Sequence, residues 1–253
     1  MDFKFMSEAD KSTRVIHRAL GKLHGFEPQK VFTDLAKRGS DTKVEFYMAG
    51  PPCQPWTSLV NGAGVEDEAG RGTVMYHVVH YLRTAKPKAF ILENVVGLCS
   101  KHLPDMAAIL EALENPEELP GYQASWKKVN ALQNCCPQSR PRIYVVGIRN
   151  DCCIHTFTWP QPLPLVPPLD MFLDSKPNDH PPKFNATEER NYSMWKKKLR
   201  KIGINLESTT FMMDLQAGKN FGQCTKDHCP CLTKARGKSV FFYFLSEPQH
   251  QHL

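Results

Sequence analysis

The tightest constraint on the fold is a unit that recurs through residues 1–150: a short apolar run, a polar or proline stop, then a stretch with helical spacing. Residues 44–49, Val-Glu-Phe-Tyr-Met-Ala, read as a strand halted at Gly50-Pro51-Pro52, since proline cannot donate into a ladder. Residues 3–6, 31–35, 89–92 and 142–148 read as further extended segments. Val15, Ile16, Ala19, Leu20 and Leu23 fall at helical spacing, as do Val74, Tyr76, Val78, Val79 and Leu82, a run that Pro87 ends. Residues 104–113 read as a helix with proline in its first turn. Strands alternating with helices predict an α/β fold with a largely parallel sheet and helices on both faces. In such sheets ligands sit beyond the carboxyl ends of the strands.

Beyond Phe157 the texture changes. Eight of the twenty prolines lie in residues 160–182, which predicts an extended arm or linker. A basic stretch, Trp195-Lys196-Lys197-Lys198-Leu199-Arg200-Lys201, reads as helical, and residues 240–245 as a strand. Two regions are therefore expected, 1–158 and 159–253. With 41% hydrophobic and 23% charged residues the composition suits globular folding and excludes collagenous or wholly disordered classes. No apolar run reaches the ~18 residues of a membrane span, and the amino end turns acidic before a signal-peptide core could form. A soluble, intracellular protein is expected, neither secreted nor membrane-bound. A net charge of +6 is compatible with a polyanionic partner without requiring one. Nine cysteines, single or in adjacent pairs, fit a reducing compartment better than a disulfide framework. Cys224, His228, Cys229 and Cys231 provide no second metal-spaced cysteine pair, so no structural metal is expected.

Three polar features follow strands. Cys53 stands in the proline-stiffened loop Gly50-Pro51-Pro52-Cys53-Gln54-Pro55-Trp56-Thr57, held where a thiolate could meet an electrophile. Glu93 and Asn94 end the apolar run Phe90-Ile91-Leu92, where a carboxylate can give a proton or hydrogen bond to a ring nitrogen. Arg140 and Arg142, at alternate positions entering a strand, suit a phosphate or a base carbonyl. Taken singly each has a plainer reading: a small buried thiol, a helix-start acid, a solvated basic edge.

Taken together, Pro-Pro-Cys-Gln, then Glu-Asn-Val, then Gln-x-Arg-x-Arg resembles the C5-cytosine methyltransferase family. Gly64-Val65-Glu66-Asp67 and Arg71-Gly72-Thr73 resemble its active-site loop; Lys86-Pro87-Lys88 and Val129-Asn130-Ala131 also match it. The resemblance implies a Rossmann-like S-adenosylmethionine-dependent fold and transfer of a methyl group to C5 of a cytosine flipped out of duplex DNA. It implies Cys53 as the nucleophile that adds to C6, Glu93 on N3 and the exocyclic amine, and Arg142 on the base O2 with Arg140 beside it. Gln54, Thr57, Arg71, Asn94 and Gln138 fall among substrate-contacting positions. Glu8, in Ser7-Glu8-Ala9-Asp10, matches an acid on the cofactor ribose, Asp34 one near the adenine amine, and Pro52 lies beside them.

The sequence departs from the family in three ways. The first motif, Phe-x-Gly-x-Gly, is absent, and its strand would have neighboured those bearing Glu8 and Cys53, leaving unpaired backbone at both. The chain stops before the last two motifs, and only part of a target-recognition region is expected at its carboxyl end. Thr57 replaces the usual serine. An incomplete fold is therefore expected, with double-stranded DNA as partner and a nuclear location if eukaryotic, otherwise cytoplasmic. A tRNA cytosine-5 methyltransferase and an inactive relative that binds nucleic acid weakly are the alternatives.

Overall fold

A computed structural model describes residues 2–35, 42–56, 64, 70–115, 121–163, 165–172, 184–204, 211–216, 224–231 and 241–244. The chain forms two units, Met1–Val129 with Arg142–Trp159, and Asn130–Pro141 with Pro160–Leu253. The second unit thus takes in the segment just before Arg142 as well as the carboxyl-terminal region.

In the first unit, β1 (Phe5–Ser7) and β2 (Lys30–Phe32) form a parallel pair around α1 (Lys11–His24). Asp10 caps α1, accepting from Thr13 N–H at 2.8 Å, and Gly25 ends it in a left-handed conformation that glycine adopts without cost. A four-stranded sheet has the order β3 (Phe46–Ala49), β4 (Ala89–Val95), β7 (Pro141–Arg149), β5 (Tyr122–Asn130). β3 and β4 are parallel, joined through α2 (Thr73–Ala85), whereas β7 runs antiparallel to β4. The sheet is therefore mixed, not largely parallel. The sequence of β5, Tyr-Gln-Ala-Ser-Trp-Lys-Lys-Val-Asn, has too few aliphatics to announce the strand. β7 lies between β4 and β5 in this sheet.

The core lies between this sheet and the helices. α2 buries Met75, Val78, Val79, Tyr81, Leu82 and Ala85, and α3 (Leu103–Glu114) buries Met106, Ile109 and Leu113. Along β4, Phe90, Leu92 and Asn94 are buried on alternate positions, as the period of a strand requires. Phe90 faces Gly147 in register, and a Cβ at Gly147 would lie 2.1 Å from the Phe90 ring. Glycine is therefore what lets the ring lie across β7.

β1 and β3 each have one paired side among the described residues, and both line a single cleft of about 2070 Å³. β1, which leads into Glu8, and β3, which leads to Cys53, are thus edge strands among the described residues.

In the second unit, β6 (Gln138–Ser139) pairs in parallel with β10 (Cys229–Pro230). β8 (Phe211–Asp214) lies between β9 (Cys224–Lys226) and β11 (Phe241–Phe244), antiparallel to each. α4 (Ala186–Lys201) packs Leu199 against Phe211, Met213 and Leu215. Its start is a capping box in which Asn185 accepts from Glu188 N–H and Glu188 from Asn185 N–H. Among the described residues, no helix is long and apolar enough to cross a membrane.

Candidate active site

The site begins where β3 stops. Gly50 and buried Pro51 carry the chain off the sheet to Cys53, half-buried at the start of the 3-10 turn Gln54–Trp56. Trp56 N–H donates to the Cys53 carbonyl at 3.1 Å, closing that turn. The Trp56 side chain is wholly buried and its indole N–H donates to Asp105 Oδ2 at 3.0 Å, on α3.

Parallel pairing brings the end of β4 alongside the same loop. Buried Asn94 donates from Nδ2 to the Pro51 carbonyl at 3.5 Å, while its Oδ1 accepts from Val95 N–H at 2.8 Å. Glu93 Oε2 would lie 3.3 Å from a Cβ at Gly50, so the carboxylate rests almost on that backbone. Glu93 Oε1 pairs with Arg142 Nε at 3.0 Å. The register explains the pair: Arg142 is opposite Val95, two residues from Glu93 and on the same face. Glu93, Asn94 and Arg142 thus gather beside the loop that carries Cys53, inside the first unit.

Arg140 and Gln138 belong to the second unit. Arg140 N–H donates to Asn130 Oδ1 at 2.8 Å, and its guanidinium reaches Cys231 Sγ at 3.5 Å. Gln138 pairs with Cys229 across β6 and β10. Burial pushes the Cys229 thiol upward and the Cys224 thiol up to about 11. Arg71 is exposed in the turn before α2, and Thr57 lies outside the described residues. Among the described residues, no three His, Cys, Asp or Glu side chains are placed to hold a metal.

Glu8, Asp34 and Pro52 all line the cleft beside β1 and β3, and exposed Gln54 joins them. Ser7 also lines it, and its buried Oγ has no hydrogen-bond partner among the described residues. Glu8 is anchored at both ends of the residue, its N–H donating to the Phe32 carbonyl at 3.0 Å and its Oε1 accepting from Asp10 N–H at 2.8 Å. Two acids and an unpartnered hydroxyl fit a ligand rich in hydroxyl and amino groups, as the nucleoside end of S-adenosylmethionine is. Sequence reasoning missed Gly50, Ser7 and Asp105. A glycine at a strand end and a tryptophan in a short proline turn, which must find an acceptor, were the signals available.

Comparison with known proteins identifies the family. The profile of C-5 cytosine-specific DNA methylases matches residues 5–230. A type II methyltransferase of Neisseria gonorrhoeae, M.NgoBI, is 29% identical over 232 residues, covering 86% of this chain and 68% of its own. M.HhaI of Haemophilus parahaemolyticus is 36% identical over 121 residues, 48% of this chain and 36% of its own. Two solved structures share the fold. The Entamoeba histolytica methyltransferase EhMeth has a TM-score of 0.50 at 17% identity, covering 69% of this chain and 52% of its own. A Spodoptera frugiperda DNMT2 variant has a TM-score of 0.51 at 15% identity, covering 69% and 53%. The chain therefore spans about half of each solved structure. S-adenosylmethionine is the methyl donor of the family. The constellation at the ends of β3 and β4 and the match over most of the chain lead to one conclusion: this chain belongs to the C-5 cytosine-specific DNA methylase family.

Proposed function

We propose that Cys53 adds through its thiolate to C6 of a cytosine and so makes C5 nucleophilic enough to take a methyl group. The observation that carries the reading is the gathering of Glu93, Asn94 and Arg142 beside the loop that carries Cys53. S-adenosylmethionine supplies an electrophilic methyl group, and Glu8, Asp34 and Pro52 are the residues that would hold it.

Each residue then has one task. Cys53 forms the S–C6 bond. Glu93 engages N3 and the exocyclic amine, compensating the negative charge that grows on the ring. Arg142 engages O2 while its Nε keeps Glu93 aligned. Asn94 holds the Pro51 carbonyl and with it the loop that presents the thiol. Loss of the C5 proton to a base and departure of the Cys53 thiolate restore the aromatic ring.

A stacked base is out of reach of such a site, so the target is a cytosine extruded from duplex DNA, at a cost of a few kcal/mol. The lysines of α4 suit phosphate contact, although Lys198 lies over the Trp195 ring at 4.5 Å. Arg140 and Gln138 are proposed to support base binding, with Gln54, Thr57 and Arg71 as further substrate contacts.

The test is a methyl-transfer assay on duplex DNA and on tRNA, paired with trapping on 5-fluorocytosine duplex. The expected result is a covalent complex whose modified peptide contains Cys53 and which Cys53→Ser does not form. Adduct at another cysteine refutes the assignment. Faster transfer to tRNA replaces the substrate. Failure to bind S-adenosylmethionine by calorimetry, with nucleic acid still bound, identifies a non-catalytic relative.

A further inference from the structure

We propose that Asp105 is a positioning residue for Cys53: one carboxylate oxygen on α3 accepts from the Trp56 indole and lies close against Gly64. This rests on the reading of Cys53 as the reacting group. Asp105 Oδ2 accepts from the Trp56 indole at 3.0 Å. The same oxygen lies 2.6 Å from where a Cβ at Gly64 would stand, and 3.6 Å from His102 Nδ1. His102 Nδ1 itself lies 2.9 Å from that Cβ position. Gly64 is buried with φ +61, a left-handed conformation in which any side chain is strained even before the clash.

Trp56 is hydrogen-bonded to this oxygen of α3, and Gly64 leaves no room for a side chain beside it. Trp56 is three residues after Cys53, and its backbone N–H closes the turn on the Cys53 carbonyl. Any displacement of the wholly buried Trp56 ring moves that turn, and the thiol with it. The Trp56 side chain has one polar atom, and a buried N–H deprived of its acceptor incurs the full desolvation cost. A hydrogen bond to a carboxylate is about twice as strong as one between neutral groups. α3 is itself anchored in the core by Met106, Ile109 and Leu113. The helix thus offers a rigid reference for the short turn that follows Cys53.

A purely structural acid would stabilise α3 without affecting Cys53, so the test reads the thiol directly. Iodoacetamide alkylation is followed at Cys53 by peptide mass spectrometry, with Cys99 of the same unit as sentinel for general opening. Trp56→Phe keeps the ring and removes the donor; Asp105→Ala removes the acceptor; Asp105→Asn keeps an acceptor oxygen. Trp56→Phe and Asp105→Ala are each expected to speed Cys53 alkylation about tenfold, the loss of one charge-assisted bond, with Cys99 unchanged. Combining them adds nothing further, because both remove the same bond. Asp105→Asn returns the rate towards that of the parent.

An unchanged Cys53 rate in Trp56→Phe overturns the proposal. So does a parallel rise at Cys99, which marks loosening of the whole unit. If Asp105→Ala does not fold, Trp56→Phe and Asp105→Asn still decide. The same variants are then tried with 5-fluorocytosine duplex, where slower trapping is expected. If the parent traps no duplex while the alkylation results hold, the nucleophile reading fails and the tether stands.

Discussion

Glu93 Oε1 meets Arg142 Nε at 3.0 Å, and this single ion pair crosses from the strand that ends beside Cys53 to an antiparallel neighbour. The two side chains are 34% and 16% exposed, so the pair is partly withdrawn from water. Glu93→Gln keeps the shape and removes the charge. It should lower methyl transfer by about 10²–10⁴-fold, while thermal unfolding shifts by no more than the ~1 kcal/mol of a half-exposed pair. Comparing single-turnover rates with melting curves separates the two effects. A variant that loses stability and activity in proportion would contradict the assignment.

Gly147 is where the Phe90 ring crosses the sheet. Gly147→Ala puts a methyl group 2.1 Å from that ring, and overpacking of this kind costs ~1–3 kcal/mol. Urea unfolding should show a lower midpoint, and Phe90→Leu in the same chain should recover part of the loss.

Buried Tyr122 donates to the Leu82 carbonyl at 3.2 Å and the Pro87 carbonyl at 2.9 Å, joining β5 to the end of α2. Burial pushes its phenol far above the ordinary value of 10.0. The unfolded chain therefore loses the proton first. The stabilisation is complete below about pH 10 and declines as pH rises towards the folded-state value. Tyr122→Phe should cost ~1–2 kcal/mol at pH 7 and flatten the fall between pH 10 and 11. Melting curves across that range, set against the parent, give the difference.

In the second unit, Asn185 Oδ1 accepts from Thr187 and Glu188 N–H at 2.9 and 3.0 Å, and Glu188 Oε1 accepts from Gln216 at 3.1 Å. The cap therefore fixes α4 and its neighbouring strand end together. Asn185→Ala should cost ~1 kcal/mol, visible as faster amide exchange in 186–190 with the first unit unaffected.

How legible all this was depends on whether a feature is local. The turn at Gly50-Pro51-Pro52, the helix ended at Pro87 and the apolar strand that leads to Glu93 follow from neighbours in sequence, and the structure has them. The residues Cys53, Glu93 and Arg142 were visible because each follows or enters an apolar run. β5 was not, since its face is made by pairing with β7 and not by its own aliphatics. Nor was the direction of β7, which depends on how distant strands come together. Asp105 stayed hidden because its partner Trp56 is 49 residues away. The strands at 3–6 and 31–35 were found with bounds shifted to Phe5–Ser7 and Lys30–Phe32, as strand ends set by pairing usually are.

The cleft between β1 and β3 also governs how this chain behaves in solution. Phe46 and Met48 are 44% and 65% exposed on β3, an edge strand among the described residues. Such a border acts as a template on which other chains can grow. Light scattering should therefore rise with protein concentration while the core remains intact, and Met48→Lys should suppress it. Colloidal behaviour would then follow from a four-residue ribbon and not from the packing of the interior.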